Sequence, residues 1–219
     1  MIVTAKLKIL IVDDHPVVRF GLNLLLEKDS RFEICGEAGD VHTACEMACT
    51  LSPDIIILDL RLGGRDDLEM LKDMHALNEK ALIFIFTAQN ERVYAQRCFQ
   101  CGAGGYMMKD EGIEKVPDAL TVMLRGERYA SEEVQSVMFQ KMASGIKTSS
   151  AIDDLSDREL QVLRLVGAGM ATGKIATELN LSVKTVSTYR ERLKNKLGSD
   201  TARALEQRAA DFIRTGRIS

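Results

Sequence analysis

The sequence predicts a doubly wound α/β domain followed by a small all-α domain, and three observations carry that reading. Short apolar runs, separated by helix-length segments, recur through the first 130 residues. Four of these runs stop at polar residues, namely Asp13-Asp14, Asp59, Thr87 and Lys109. After Asp154 no strand signal remains, and glycine and polar turns divide the chain into four helical segments. Uninterrupted apolar runs alternating with helices are the pattern of parallel strands buried on both faces.

The first strand is Leu7-Lys8-Ile9-Leu10-Ile11-Val12, closed by Asp13-Asp14. His15-Pro16 then opens a helix over Val17 to Lys28, since a proline in the first turn lacks only an N–H that has no partner anyway. A second strand runs from Phe32 to Ala38, and a helix from Val41 to Leu51. Ile55-Ile56-Ile57-Leu58 ends at Asp59 and leads to a helix over Asp66 to His75. Ala81 to Phe86 ends at Thr87, followed by a helix over Glu91 to Cys101. Gly104 to Met108 ends at Lys109, followed by a helix over Glu114 to Arg125. Five strands and five helices in alternation describe a flavodoxin-like (βα)5 domain, whose ligands gather outside the carboxyl ends of the strands.

A helix over Ser131 to Met142 leads into Ala143 to Ser150, a small, polar stretch that reads as a linker. Ser156-Asp157-Arg158-Glu159 is a capping box, in which hydroxyl and carboxylate each satisfy an unpaired backbone N–H. Helices are expected to about Val166, then over Gly173 to Leu179, Val183 to Leu197 and Thr201 to Ile213, with turns at Gly167-Ala168-Gly169 and Asn180-Leu181-Ser182. The expected division is a domain over 1–130, a linking helix and linker over 131–153, and a helical domain over 154–219.

Among 219 residues no apolar run approaches a membrane span, and no basic segment with an apolar core opens the chain, so a cytoplasmic protein without membrane contact is expected. Five cysteines without a regular framework suit a reducing compartment. Cys45, Cys49, Cys98 and Cys101 read as small core-facing thiols on the second and fourth helices, and His15, His42 and His75 suggest no metal site. Residues 1–130 hold 15 basic against 21 acidic residues, whereas 131–219 hold 14 against 11. Ser182 to Gly198 alone carries five bases and one acid, which points the C-terminal part towards a polyanion.

Three carboxylates, a hydroxyl and an ammonium converging at strand ends suit a divalent cation and a phosphoryl group. Mg²⁺ takes hard oxygen ligands, and a carboxylate can itself accept a phosphoryl group as an acyl phosphate. Lys109 would neutralise phosphate charge and Thr87 would hydrogen-bond a phosphoryl oxygen. Read singly, Asp14 also fits a helix N-cap, Thr87 a strand-end cap and Lys109 a solvated loop lysine.

Asp13-Asp14, Asp59, Thr87 and Lys109, with Gly102-Ala103-Gly104-Gly105-Tyr106, resemble the receiver domain of bacterial two-component response regulators over roughly residues 6–128. The resemblance implies that Asp59 is the phosphoacceptor from a sensor histidine kinase. It implies that Asp14, Asp59 and the Arg61 backbone carbonyl hold Mg²⁺, with Asp13 assisting. It also implies that Thr87 and Tyr106 reorient on phosphorylation, the hydroxyl towards the phosphate and the ring inward. The chain departs from the family at Leu62-Gly63-Gly64, where Met-Pro-Gly is common, and at Asp67, where a glycine is common. With Asp66 adding charge, a weaker or slower switch is expected.

On the third C-terminal helix, Val186, Tyr189, Leu193 and Leu197 share one face and are expected to be buried. The other face suits a major groove, with Ser187, Thr188 and Glu191 reading bases and Lys184, Arg190, Arg192, Lys194 and Lys196 meeting phosphates. For Glu191, base contact and a plain solvated position weigh equally, because a carboxylate also repels phosphate. Leu155 to Leu160, Val162-Leu163, Gly169, Ile175-Ala176, Leu179, Leu181-Ser182, Lys184-Thr185-Val186 and Lys196-Leu197-Gly198 resemble the LuxR-type helix-turn-helix of NarL/FixJ-type response regulators. Gly173 and Lys174 stand where that family often has a lysine and a glutamate, so the operator does not carry over. The expected function is a transcription regulator that binds double-stranded promoter DNA as a homodimer on phosphorylation. Its dimer contact is expected at Ala204, Leu205 and Phe212, RNA polymerase is a further partner, and it carries out no turnover beyond self-phosphotransfer and autodephosphorylation. The alternatives are a regulator controlled without phosphorylation and a Mg²⁺-dependent phosphohydrolase. Against the second, no further acid stands two residues after Asp59.

Overall fold

The computed structural model describes residues 5–62, 67–144, 151–152 and 154–215. Gly63, Gly64, Asp66 and the side chain of Asp67 lie outside the described residues, as does the linker from Gly145 to Ser150. The chain divides into two compact units, Met1–Phe139 and Gln140–Ser219.

In the first unit, strands β1 (Leu7–Val12), β2 (Phe32–Ala38), β3 (Ile55–Leu58), β4 (Leu82–Thr87) and β5 (Gly105–Met108) form one parallel sheet in the order β2-β1-β3-β4-β5. The helices between and after them are α1 (Pro16–Leu26), α2 (Val41–Leu51), α3 (Asp67–Leu77), α4 (Glu91–Gln100) and α5 (Val116–Leu124). Two short 3-10 turns, Lys109–Glu111 and Ile113–Lys115, precede α5, the second taking up the first residues of the helix expected from Glu114. Gly112 between them has a φ of 101°, which breaks an α-helix there.

One face of the sheet, with Ile9, Ile11, Ile55, Ile57, Phe84, Phe86 and Met107, packs against Leu22 and Leu26 of α1 and Val116, Ala119, Leu120 and Met123 of α5. The alternate residues Leu10, Ile56, Leu58, Ile83 and Ile85 are equally buried and point to the opposite face, as a two-residue side-chain period requires. Between β1 and β2 the register shifts by one at Ile9/Leu10, leaving Cys35 out of the pairing. Strand order reverses between β1 and β3, which places a crevice at their carboxyl ends.

Helix α6 (Glu132–Ser144) follows, its side chain of Val134 buried. The second unit contains α7 (Asp157–Gly167), α8 (Thr172–Glu178), α9 (Val183–Leu197) and α10 (Ala202–Thr215). The capping box is present in full: Ser156 Oγ accepts from the Glu159 backbone N–H, and Glu159 Oε2 accepts from the Ser156 N–H at 2.8 Å. Asn180, with a φ of 52°, turns the chain between α8 and α9, and Ser182 caps α9 by accepting from Thr185 N–H. Gly198, with a φ of 60°, ends α9. Leu160, Leu163, Ile175, Val186, Leu193, Leu205, Ala209 and Phe212 form the buried interior.

Leu205 and Phe212, expected at a dimer contact, are instead 0% and 3% exposed inside their own unit, while Ala204 is part-exposed. The apolar stripe of α10 faces α7, so two of the three expected contacts are already used. The thiols divide: Cys98 is buried, Cys45 and Cys101 are part-buried, and Cys49 is exposed rather than core-facing. Among the described residues no helix is long and apolar enough to cross a membrane.

Two glycines of the second unit predict opposite responses to alanine. A Cβ on Gly167 would fall on the Ala209 carbonyl oxygen and within 2.8 Å of Ile213 Cδ1. Alanine's helix preference of about 1 kcal/mol is outweighed there by overpacking of about 1–3 kcal/mol. A Cβ on Gly173 meets nothing within 4 Å. Urea unfolding should therefore show Gly167→Ala less stable and Gly173→Ala more stable, the latter by about 0.5–1 kcal/mol.

The buried Glu159 carboxylate predicts a pH effect. Burial opposes its ionisation, but the Lys196 ammonium and the Ser156 donors outweigh burial and hold its pKa below the ordinary glutamate value. A depressed carboxyl stabilises the folded state above its unfolded pKa, and that stability is lost as pH falls through the folded value. Glu159→Gln should flatten the acid limb of the stability profile; an unchanged limb would exclude this pairing as its source.

Candidate functional site

Backbone pairing sets the geometry of the first site. Asp59 N–H donates to Val12 O at 2.8 Å and Asp13 N–H to Ala38 O at 3.0 Å, so the ends of β2, β1 and β3 stay in step. Asp13 and Asp59, each 2% exposed, thereby face one another across the crevice. Leu60 and Leu62, both buried, anchor the chain just after Asp59.

Buried carboxylates need paired charge or hydrogen bonds, because desolvation of an ion is expensive. Lys109 Nζ supplies both, lying 2.6 Å from Asp13 Oδ2 and 2.6 Å from Asp59 Oδ2. Burial lowers the pKa of this lysine, but its bonds to the Asp13 and Asp59 carboxylates outweigh burial and hold it above the ordinary lysine value. The other oxygen, Asp59 Oδ1, accepts from Thr87 Oγ1 at 2.7 Å and from Arg61 N–H at 3.1 Å. Thr87 is fully buried as the last residue of β4.

Asp13, Asp14, His15 and Asp59 bring one ligand atom each within 4.8 Å of one another. His15 Nδ1 is 2.6 Å from Asp14 Oδ1 and 3.1 Å from Asp13 Oδ1. The histidine thus belongs to the cluster, contrary to the reading that the scattered histidines mark no metal site. Its adjacency to Asp13-Asp14 was the available signal. Three carboxylates and a lysine form a hard, oxygen-rich site compatible with Mg²⁺.

Thr87 and Tyr106 both take the inward arrangement. Tyr106 is 0% exposed and its hydroxyl donates to Gln89 O at 2.8 Å. Burial pushes the phenol pKa well above the ordinary tyrosine value. Thr87 Oγ1 also accepts from Gln89 N–H at 3.3 Å, so Gln89 joins the two side chains.

The second site is α9. Val186, Leu193 and Leu197 are buried as expected, but Tyr189 is only part-buried, with the Arg192 guanidinium 5.9 Å from its ring centroid. Lys184, Ser187, Thr188, Glu191, Arg192 and Asn195 are exposed on the opposite side. Three of the expected phosphate-binding cations have partners within the chain. Arg190 pairs with Glu206 of α10 at 2.7 Å, and Lys194 with Glu191 at 2.9 Å. Lys196 reaches Glu159 Oε2 at 2.7 Å and Asp154 O at 2.9 Å, tying α9 to the α7 capping box. Lys184 and Arg192 are left as the exposed cations on this face.

Residues 9–121 match the response regulator receiver domain family, and residues 153–205 match the luxR family of bacterial regulatory proteins. The chain is 36% identical over 193 residues to the virulence-factor transcription regulator BvgA of Bordetella pertussis, covering 88% of this chain and 91% of that protein. It is 31% identical over 201 residues to the response regulator GacA of Pseudomonas aeruginosa, covering 91% and 94%. Among solved structures, the RcsB response regulator of Salmonella typhimurium superposes with a TM-score of 0.74 at 25% identity, over 96% of this chain and 100% of that one. RcsB from Salmonella enterica serovar Typhimurium bound to a promoter with the phosphomimetic BeF3⁻ gives 0.71 at 26%, over 94% and 100%.

The shared ammonium predicts the response to its removal. Lys109→Ala leaves two buried carboxylates without their cation, a loss of about 3–5 kcal/mol for a broken buried pair. Thermal unfolding at pH 7 should show that loss, with Mg²⁺ restoring part of it. A variant as stable as the parent in both conditions would refute the pairing.

Proposed function

This chain belongs to the two-component response regulators of the NarL/FixJ type, which join a receiver domain to a LuxR-type DNA-binding domain, and on that premise we propose that it is a transcription regulator switched by phosphorylation of Asp59. The observation that carries the proposal is the treatment of the two Asp59 oxygens. Oδ1 is held by Thr87 and Arg61, and Oδ2 by Lys109, so hydroxyl and ammonium already stand where phosphoryl oxygens need donors. The receiver is assigned to 1–130, the link to 131–153 and the DNA-binding domain to 154–219.

In this reading an Asp59 carboxylate oxygen attacks the phosphorus of a phosphohistidine on a sensor kinase; the O–P bond of an acyl phosphate forms as the P–N bond breaks, and the kinase imidazole leaves with the bond's electron pair. Asp13, Asp14, Asp59 and the Arg61 carbonyl would hold Mg²⁺, whose charge would offset that of the phosphoryl oxygens. Lys109 contributes a second positive charge, Thr87 donates to the phosphoryl group, and Tyr106 packs behind Thr87. The modification adds a charge of roughly −1.5 to −2 and biases a two-state element.

The output is promoter binding through α9, favoured by dimerisation and acting on RNA polymerase in the cytoplasm. Bases are read by Ser187, Thr188 and Glu191. Phosphates are met first by Lys184 and Arg192, because Arg190, Lys194 and Lys196 are held by acids of the chain. The dimer contact on α10 is assigned to Ala204 and its exposed neighbours Arg203 and Gln207. That RcsB was bound to a promoter in the presence of a phosphomimetic supports linking the phosphoryl site to promoter binding.

The test is a gel shift on fragments selected from genomic DNA, with and without beryllofluoride and Mg²⁺. Beryllofluoride should tighten binding about 5- to 150-fold, the usual range of coupling between sites, and Asp59→Ala should abolish that gain. Equal binding in all conditions would overturn the switch and leave DNA binding in place.

A further inference from the structure

The reading face of α9 has a definite hydrogen-bond polarity. Ser187 Oγ donates to Val183 O at 2.9 Å, and Thr188 Oγ1 donates to Lys184 O at 3.0 Å. A backbone carbonyl can only accept, so each hydroxyl proton is committed to the helix and only the oxygen lone pairs face outward. Glu191, four residues from Ser187 and so on the same side of the helix, offers carboxylate oxygens that accept. All three side chains are exposed.

Lys194 removes the main objection to a carboxylate in a groove. Its ammonium bonds both Glu191 oxygens, at 3.1 and 2.9 Å. The pair is close to neutral towards the phosphates, while the carboxylate keeps lone pairs for further donors. The lysine also orients the carboxylate along the helix surface.

Resting on the reading that α9 enters a major groove, we propose that Ser187, Thr188 and Glu191 form an acceptor-only recognition surface that selects base edges carrying amino donors, the cytosine N4 and adenine N6 groups. Guanine presents the acceptors N7 and O6 in the major groove, and thymine presents O4. Those edges place acceptor against acceptor at these positions. Lys184 and Arg192 flank the surface and supply donors to phosphates, so the positive charge that gives affinity is separated from the acceptors that give specificity.

Because every cytosine faces a guanine, a preferred base pair alone does not identify the group being read. The full-length protein, with and without beryllofluoride, is first used to select duplexes from a pool randomised over about 30 base pairs. Single atoms of the selected half-site are then altered: 2-aminopurine for adenine, 2-pyrimidinone for cytosine and 7-deazaguanine for guanine. At one or more positions per half-site, loss of the 6-amino or 4-amino group should weaken binding about 5- to 150-fold, the range for a good base contact. The same change should have little effect on Glu191→Ala, whose melting curve establishes that it remains folded. The proposal is overturned if Glu191-dependent sensitivity follows 7-deazaguanine instead, or if Glu191→Ala alters discrimination at no position. A pool that yields no preferred sequence overturns the promoter-binding reading itself.

Discussion

A sheet buried on both faces leaves a charged side chain few places to stand, and that constraint organises the first unit. The strands are parallel, so their carboxyl ends lie together, and β1, β3, β4 and β5 bring Asp13, Asp59, Thr87 and Lys109 to the same edge. Asp13 and Asp59 meet there with too little water to separate them. Two adjacent buried anions are tolerable only with a shared cation, and Lys109 is that cation. The arrangement is therefore strained for accepting more negative charge yet supplied with donors that favour it. Asp14 differs from its neighbour in being exposed, which suits a ligand that also keeps waters.

The second unit solves the opposite problem. It must present positive charge on α9 without scattering its own helices. Acids from α7 and α10 take up part of that charge: Glu159 holds Lys196, and Glu206 holds Arg190. These pairs lock α9 against its supports, whereas Lys184 and Arg192 stay outward. A residue's charge thus does not reveal its task. The same five bases divide into those that build the domain and those available to a partner.

That division also marks how far the sequence was legible. The strand ends were readable because an apolar run interrupted by a carboxylate is a local signal, and helix α9 emerged with the expected bounds, Val183–Leu197. The partners of Arg190 and Lys196 were not readable, since they stand 16 and 37 residues away and depend on how α7, α9 and α10 pack. Leu205 and Phe212 failed for a related reason. An amphipathic helix announces an apolar face but does not say what covers it, and here the unit's own core does. His15 was legible only from its adjacency to Asp13-Asp14: it precedes α1 without a side-chain capping bond, and its ring lies among the acids.

The inward arrangement of Thr87 and Tyr106 bears on how the proposed switch works. A new group can shift an equilibrium only by as much as it favours one state over the other. With Thr87 already donating to Asp59 and Tyr106 already bonded to Gln89 O, a phosphoryl group adds no new rotamer to reach. In the proposed switch it would act by strengthening the inward state against outward ones, exchanging a carboxylate acceptor of Thr87 for a more highly charged phosphoryl oxygen. A chain of contacts leads away from the site along the backbone. Gln89 touches both switch residues and precedes Asn90, which caps α4 by accepting from Arg92 N–H, and the Arg92 guanidinium pairs with Glu133 at the start of α6. Under the proposed switch, the size of the response would therefore be set less by the phosphoryl site, whose donors are in place, than by how readily this short chain of contacts opens when no phosphoryl group is there to hold it.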